Sequence, residues 1–227
     1  MKDETIIVFS PHPDDETFSC GGTIAKRLSE GYDVLVVIMT DGRHAYSKHF
    51  GIYTNPTPEE LIKIRKEEEE TAMRILGLKE ENLVFLDFED GALEQNREEA
   101  EREVIKILTK HPPKEVYNTY EGDYHSDHRA ASRIVKNAIK KAHILTKQYE
   151  YSISPRYSRL GMLTGLLLKR IRRNVFYVDI SDFLPLKEKA MKEFRSQISI
   201  ISERQKMPVI RNLRRFMKNK EIFFICL

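Results

Sequence analysis

Thr5-Ile6-Ile7-Val8-Phe9-Ser10-Pro11-His12-Pro13-Asp14-Asp15-Glu16, running on through Gly31 into Val34-Leu35-Val36-Val37-Ile38-Met39, is the stretch that decides the fold. Thr5 to Phe9 is an unbroken apolar, β-branched run, the mark of a strand covered on both faces. Ile24 and Leu28 fall at helical spacing behind it, and Gly31 supplies the residue that ends a helix. Val34 to Met39 is again continuously apolar. Two buried strands joined by a helix form a βαβ unit, whose strands lie parallel and whose crossover is right-handed.

The alternation continues outward. Pro58-Glu59-Glu60 opens a long helix carrying Leu61, Ile64, Met73, Ile75 and Leu76, and Gly77 stops it. Leu83 to Leu86 reads as a third strand, Glu98 to Lys110 as a helix ended by Pro112-Pro113, and Glu115-Val116-Tyr117 as a fourth strand. His125 to Ala142 reads as a helix, Tyr149 to Ile153 and Val175 to Ile180 as later strands, and a last helix starts near Pro185. The expectation is an α/β fold: one domain over residues 1–227, Rossmann-like, with a mostly parallel sheet flanked by helices. In such sheets ligands bind beyond the carboxyl ends of the strands, so the polar clusters after the first four strands are expected on one edge.

Composition narrows the class. The 227 residues are 41 % hydrophobic and 32 % charged, enough for a full core in a globular protein. No segment approaches the ~20 apolar residues of a membrane span, and the start has no signal-peptide core. Two cysteines argue against a disulfide framework and make the cytoplasm the default compartment. Acidic residues dominate Glu59 to Glu103, including Glu67 to Glu70, and read as solvated faces. Residues 151–174 contain no Asp or Glu, while Leu160, Met162, Leu163, Leu166, Leu167, Leu168 and Ile171 adjoin Lys169, Arg170, Arg172 and Arg173. That segment is read as a flap meeting an anionic membrane or a lipid-linked substrate, against a helix packed on the sheet or held in a homo-oligomer contact. Arg204, Lys206, Arg211, Arg214, Arg215, Lys218 and Lys220 form a second basic stretch, and the basic stretches are read as solvated faces or as a surface for anionic substrates or lipid head groups. No nucleic-acid partner is expected.

The chemistry concentrates in two motifs. Pro11-His12-Pro13-Asp14-Asp15-Glu16 follows the first strand. An exposed turn with a capping aspartate explains one of its carboxylates, but not a histidine beside two of them; like charges gather when a cation shares them. His125-Ser126-Asp127-His128 opens the helix after the fourth strand, its histidines one helical turn apart. Together the motifs supply a three-ligand His/Asp/His site that leaves a coordination position for water, as in a catalytic zinc centre.

These residues resemble the LmbE-like, or PIG-L, zinc N-deacetylases. Gly21-Gly22-Thr23-Ile24, Thr40-Asp41-Gly42, Arg65 with Glu68, Ala72 and Leu76-Gly77 extend the resemblance, and Asp90-Gly91, Val178-Asp179-Ile180, Lys187, Ala190 and Ser196-Gln197 echo it. It implies one Zn²⁺ per chain on His12, Asp15 and His128, with Asp14 as general base. His125 would stabilise the oxyanion, held imidazolium-like by Asp127. Arg65 and Asp90 would contact the substrate, an N-acetylglucosamine-type sugar conjugate losing its acetyl group. The alternatives are another metal-dependent hydrolase, amidase or phosphoesterase, at the same site, or a non-catalytic binding protein working through its basic surface. Cys20 is read as core, and His44 and His49 as solvated loop histidines.

Overall fold

The computed structural model describes residues 4–153 and 175–226. The proposed flap lies, from residue 154 to 174, outside the described residues. Strands β1 (Thr5–Ser10), β2 (Asp33–Thr40), β3 (Leu83–Phe88), β4 (Pro113–Thr119), β5 (Lys147–Tyr151), β6 (Val175–Asp179) and β7 (Lys220–Ile225) form one seven-stranded sheet in the order β3-β2-β1-β4-β5-β7-β6. Strands β3, β2, β1, β4 and β5 pair in parallel. β7 runs antiparallel to both β5 and β6. This is the expected mostly parallel α/β sheet, with one strand, β7, that the sequence reading did not include.

Both faces are covered. The helices are α1 (Asp15–Ser29), α2 (Ala45–Phe50), α3 (Pro58–Leu76), α4 (Arg97–Lys110), α5 (Ser126–Lys141), α6 (Leu184–Met191) and α7 (Arg195–Ile198). Helices α1, α3 and α6 pack together, as do α4 and α5. Side chains alternate between the faces as a pleated strand requires. Ile6, Val8, Val34, Val36 and Ile38 join the core beneath α1, α3 and α6, while Ile7, Phe9, Leu35, Val37 and Met39 join the other. Burying each such side chain contributes about 1.5–3 kcal/mol. That is why continuous apolar runs, rather than alternating ones, marked these strands.

Local signals set the helix ends. Thr57 accepts from the Glu60 amide while the Glu60 side chain accepts from the Thr57 amide, a reciprocal cap, and Gly77 closes α3 with a left-handed φ of 91°. The acidic run at 67–70 is not a uniform solvated face. Glu67 and Glu70 are exposed, Glu69 is buried, and Glu68 accepts from the amide and hydroxyl of Ser196.

The strand order places the functional edge. β1 has β2 on one side and β4 on the other, so chain direction across the sheet reverses between β1 and β4. Such a switch point leaves a crevice at the carboxyl ends. His12 follows β1 and His128 opens α5 after β4, so the two motifs flank that crevice.

Candidate active site

The turn after β1 is pinned from several sides. Thr40, at the end of β2, donates its amide and hydroxyl to the Pro11 carbonyl at 2.9 and 2.7 Å. The Ser10 hydroxyl donates to the His12 carbonyl and accepts from the Glu16 amide. Asp14, the residue preceding α1, takes φ 127° and ψ −33° without capping the helix through its side chain. A non-glycine residue there costs on the order of 1–3 kcal/mol, and such strain gathers at functional sites. Its carboxylate is aimed by Arg65 of α3, whose guanidinium donates to Asp14 Oδ2 at 3.1 Å, to the Gly42 carbonyl at 3.1 Å and to the Pro13 carbonyl.

Three atoms form a compact triangle. His12 Nδ1 lies 3.0 Å from Asp15 Oδ2, His128 Nε2 lies 3.1 Å from the same oxygen, and the two ring nitrogens are 3.3 Å apart. Tetrahedral bonds of about 2.0–2.2 Å to a zinc-like cation set neighbouring ligand atoms about 3.3 Å apart, so the triangle matches one face of such a tetrahedron. His12, His125 and His128, and likewise His12, Asp90 and Asp127, also bring one ligand atom each within 4.8 Å of one another. The donor set, neutral imidazole with carboxylate, suits a divalent cation of the zinc type.

Carboxylates stand behind both imidazoles. His12 Nε2 faces Asp127 Oδ2 at 3.4 Å and Asp90 Oδ1 at 3.5 Å, and His128 Nδ1 faces Asp123 Oδ1 at 3.4 Å. Partners on the far nitrogen fix which nitrogen is free to ligate. Asp123 is fully buried and also accepts from the Ser152 hydroxyl and the Ile153 amide, tying the turn before α5 to the end of β5. Sequence reasoning passed over Asp123; its place two residues before His125 was the available signal.

The buried carboxylates set the proton affinities of the cluster. Burial alone would lower the His12 pKa, but the carboxylates of Asp127, Asp15 and Asp90 raise it well above the ordinary imidazole value. His128 is likewise depressed by burial and lifted by Asp15 and Asp123 to about 9. Asp15 and Asp90 are held below the usual carboxylate range, because His128 and His12 for the first, and His12 and Lys48 for the second, outweigh burial. Burial pushes Asp14 up to about 8 despite the Arg65 guanidinium. His125, half-buried, is lowered to about 4 by burial and by the neighbouring His12 and His128 imidazoles.

Three expected contacts are placed differently. Asp127 was expected to hold His125. Its side chain instead faces His12 and accepts from the Gly91 amide, while His125 Nδ1 accepts from the Asp127 backbone amide at 3.3 Å. The helix start explains this: the N-terminal turn of α5 presents its own N–H groups to the residue that caps it. Asp90 was expected on a sugar hydroxyl, but it accepts from Lys48 Nζ at 3.2 Å and from the His44 amide while backing His12. Arg65 lines the pocket, yet it is buried and committed to Asp14 and two carbonyls. His44 and His49, read as solvated, line the same pocket. Cys20 is buried core, as expected.

The pocket measures about 440 Å³. His12, Asp14, Asp15, His125 and His128 line it, and so does Tyr124, which is 71 % exposed. No described helix is long and apolar enough to cross a membrane.

A metal-suited His/Asp crevice at the switch point of a parallel sheet defines a class of hydrolase, and comparison with known proteins agrees. Residues 7–139 match the PIG-L family, described as GlcNAc-PI de-N-acetylase, and the chain belongs to that family. It is 31 % identical over 205 residues to the diacetylchitobiose deacetylase of Thermococcus kodakarensis, covering 85 % of this chain and 69 % of that protein. It is 33 % identical over 188 residues to the mycothiol S-conjugate amidase of Streptomyces coelicolor, covering 75 % and 64 %. The fold is shared with the N,N'-diacetylchitobiose deacetylase of Pyrococcus horikoshii, at a TM-score of 0.71 and 24 % identity, over 98 % of this chain and 84 % of that one.

Proposed function

We propose that the protein is a zinc-dependent N-deacetylase that hydrolyses the acetamide of an N-acetylglucosamine-type sugar conjugate to acetate and a free amino sugar. The observation carrying this reading is the triangle of His12 Nδ1, Asp15 Oδ2 and His128 Nε2 beside the strained Asp14, on the wall of the pocket. The Thermococcus and Streptomyces relatives are described as a deacetylase and an amidase, which supports amide hydrolysis here.

When bound there, one cation supplies Lewis acidity to water and to the amide carbonyl. Asp14, whose ionised form the Arg65 guanidinium favours and the charge of a bound cation would favour further, takes a proton as the water oxygen adds to the carbonyl carbon. Arg65 holds the Asp14 carboxylate in place through contacts that do not depend on substrate. His125, on the pocket wall, donates to the oxygen that gains charge as the carbonyl becomes tetrahedral. The C–N bond then breaks, the amine leaves with the proton taken up by Asp14, and acetate remains. Asp127, Asp90 and Asp123 act on the orientation of the two ligand imidazoles. With two cysteines in the whole chain and Cys20 buried in the core, a reducing compartment is favoured, and we place the reaction in the cytoplasm.

The test is elemental analysis with an acetate-release assay on N-acetylglucosamine and N,N'-diacetylchitobiose. About one zinc per chain, with acetate release lost to a chelator and restored by zinc, is expected. Retention of full metal by His12→Ala/His128→Ala, or release of acetate from neither sugar by the zinc-loaded protein, overturns the reading.

A further inference from the structure

The exposed part of the pocket wall carries charge that the reaction does not use. Three carboxylates line the cavity, Asp14, Asp15 and Asp90, and each is matched. Asp14 meets Arg65, Asp15 meets His12 and His128, and Asp90 meets His12 and Lys48. His44, also on the wall, pairs with Glu89 at 3.2 Å. Arg211 and Arg215 line the same cavity from the segment leading to β7. Both are exposed, and neither has a carboxylate within 4.0 Å among the described residues, the buried Asp123 being near enough only to act on Arg215 through its charge. The Arg215 guanidinium lies 4.4 Å from the centre of the Phe216 ring, which limits the directions it can take. Val209, Ile210 and Phe216 give this part of the wall an apolar floor. The buried carboxylates of the lining are therefore balanced, and its exposed part holds two surplus cations beside apolar surface.

We infer that Arg211 and Arg215 form a subsite for an anionic group, carboxylate or phosphate, carried by the part of the substrate beyond the N-acetylated sugar. This rests on the deacetylase reading for the reaction but adds which conjugates the enzyme prefers. Guanidinium forks match planar carboxylates and phosphates, and their charge raises the local concentration of anions at the pocket mouth.

The experiment compares three N-acetylglucosamine derivatives: the carboxymethyl glycoside, its uncharged carbamoylmethyl isostere, and the 1-phosphate. Expected for the zinc enzyme is a kcat/KM for each anionic compound at least about tenfold above the neutral isostere, expressed in KM and shrinking as salt rises. A preference for only one of the two anions identifies the group. In Arg211→Gln/Arg215→Gln the anionic-to-neutral ratio falls towards one, with the melting temperature checked on the same samples. Equal kcat/KM for charged and neutral compounds in the wild type overturns the subsite, as does a variant that keeps the wild-type ratio. Calorimetric binding of N-acetylglucosamine 1-phosphate against N-acetylglucosamine gives a readout independent of turnover. Tighter, arginine-dependent binding of the phosphate without hydrolysis of any conjugate supports the subsite while sinking the deacetylase reading. Equal binding of the two sugars sinks the subsite alone.

Discussion

Substituting Lys187→Met tests how the last strand is fastened to the first helix. Lys187 of α6 and Glu221 of β7 form an ion pair of 2.6 Å with side chains 1 % and 3 % exposed. Glu221 also accepts from the Gly22 amide at 3.0 Å, the Thr23 amide at 2.8 Å and the Thr23 hydroxyl. Removing one partner of a buried pair costs about 3–5 kcal/mol, because the other charge stays buried. The α1 donors still serve the Glu221 carboxylate, which puts the expectation near the lower bound, ~3 kcal/mol. For a chain of this size 1 kcal/mol moves the melting temperature by about 2–4 °C, so a fall of about 6–12 °C is expected. Glu221→Gln should be costly as well, since it strands the ammonium of Lys187. The double variant removes both charges and should fall short of the summed single losses by about 2 kcal/mol. Urea unfolding of the four proteins measures the cycle. Additivity within about 0.5 kcal/mol, or a Lys187→Met melting point within about 2 °C of wild type, refutes the argument.

Asp14→Asn should keep the metal and lose turnover by ~10²–10⁴-fold, measured as rate and zinc content on one sample; full activity would put the base elsewhere. His125→Ala should lower kcat while leaving zinc stoichiometry unchanged, and loss of metal instead would make His125 a ligand. Burial, with the neighbouring Glu16 and Asp14 carboxylates, pushes Glu69 well above its ordinary pKa against the pull of the Arg65 charge. A carboxyl raised in the folded state favours folding fully below its unfolded pKa and loses that advantage as pH rises towards the folded value. Glu69→Gln should therefore raise the melting temperature at pH 8 more than at pH 5; an equal effect at both would show that titration of Glu69 is not responsible.

The sheet and the motif residues were legible because each left a local mark. Strands β1 and β2 are continuous apolar runs, and His12, Asp14 and Asp15 sit together where no single local role explains all three. β7 was not legible because it follows a basic stretch and carries Glu221 inward, to a lysine and two helix amides distant in sequence. The same contacts account for family echoes that carry no chemistry. The Lys187 stem lies against Gly21, where an added Cβ would come within 3.3 Å of its Cγ, and a Cβ on Gly22 would lie 2.4 Å from Ile180 Cδ1. Arg65, Asp90 and Asp127 lie beside Asp14 and His12, but the partners they meet there were not the ones expected. A side chain that turns to a backbone carbonyl or to the rear of an imidazole leaves no periodicity behind. Arg211 and Arg215 read only as part of a basic stretch until the fold carried that stretch over the pocket.

The position of β7 between β5 and β6 has a bearing on synthesis. While the ribosome is still making residues 180–219, β1 to β5 can already be parallel neighbours, whereas β6 has no strand to pair with. Its place is reached only when 220–225 arrives, slots Phe223 against Tyr117 and Tyr149, and pairs on both edges at once. Contacts across such sequence distances form slowly, and until they do β5 presents an open edge to other chains. On this strand order the β5 edge depends on the distant β7 for its cover, so a chaperone that shields a strand edge would act there.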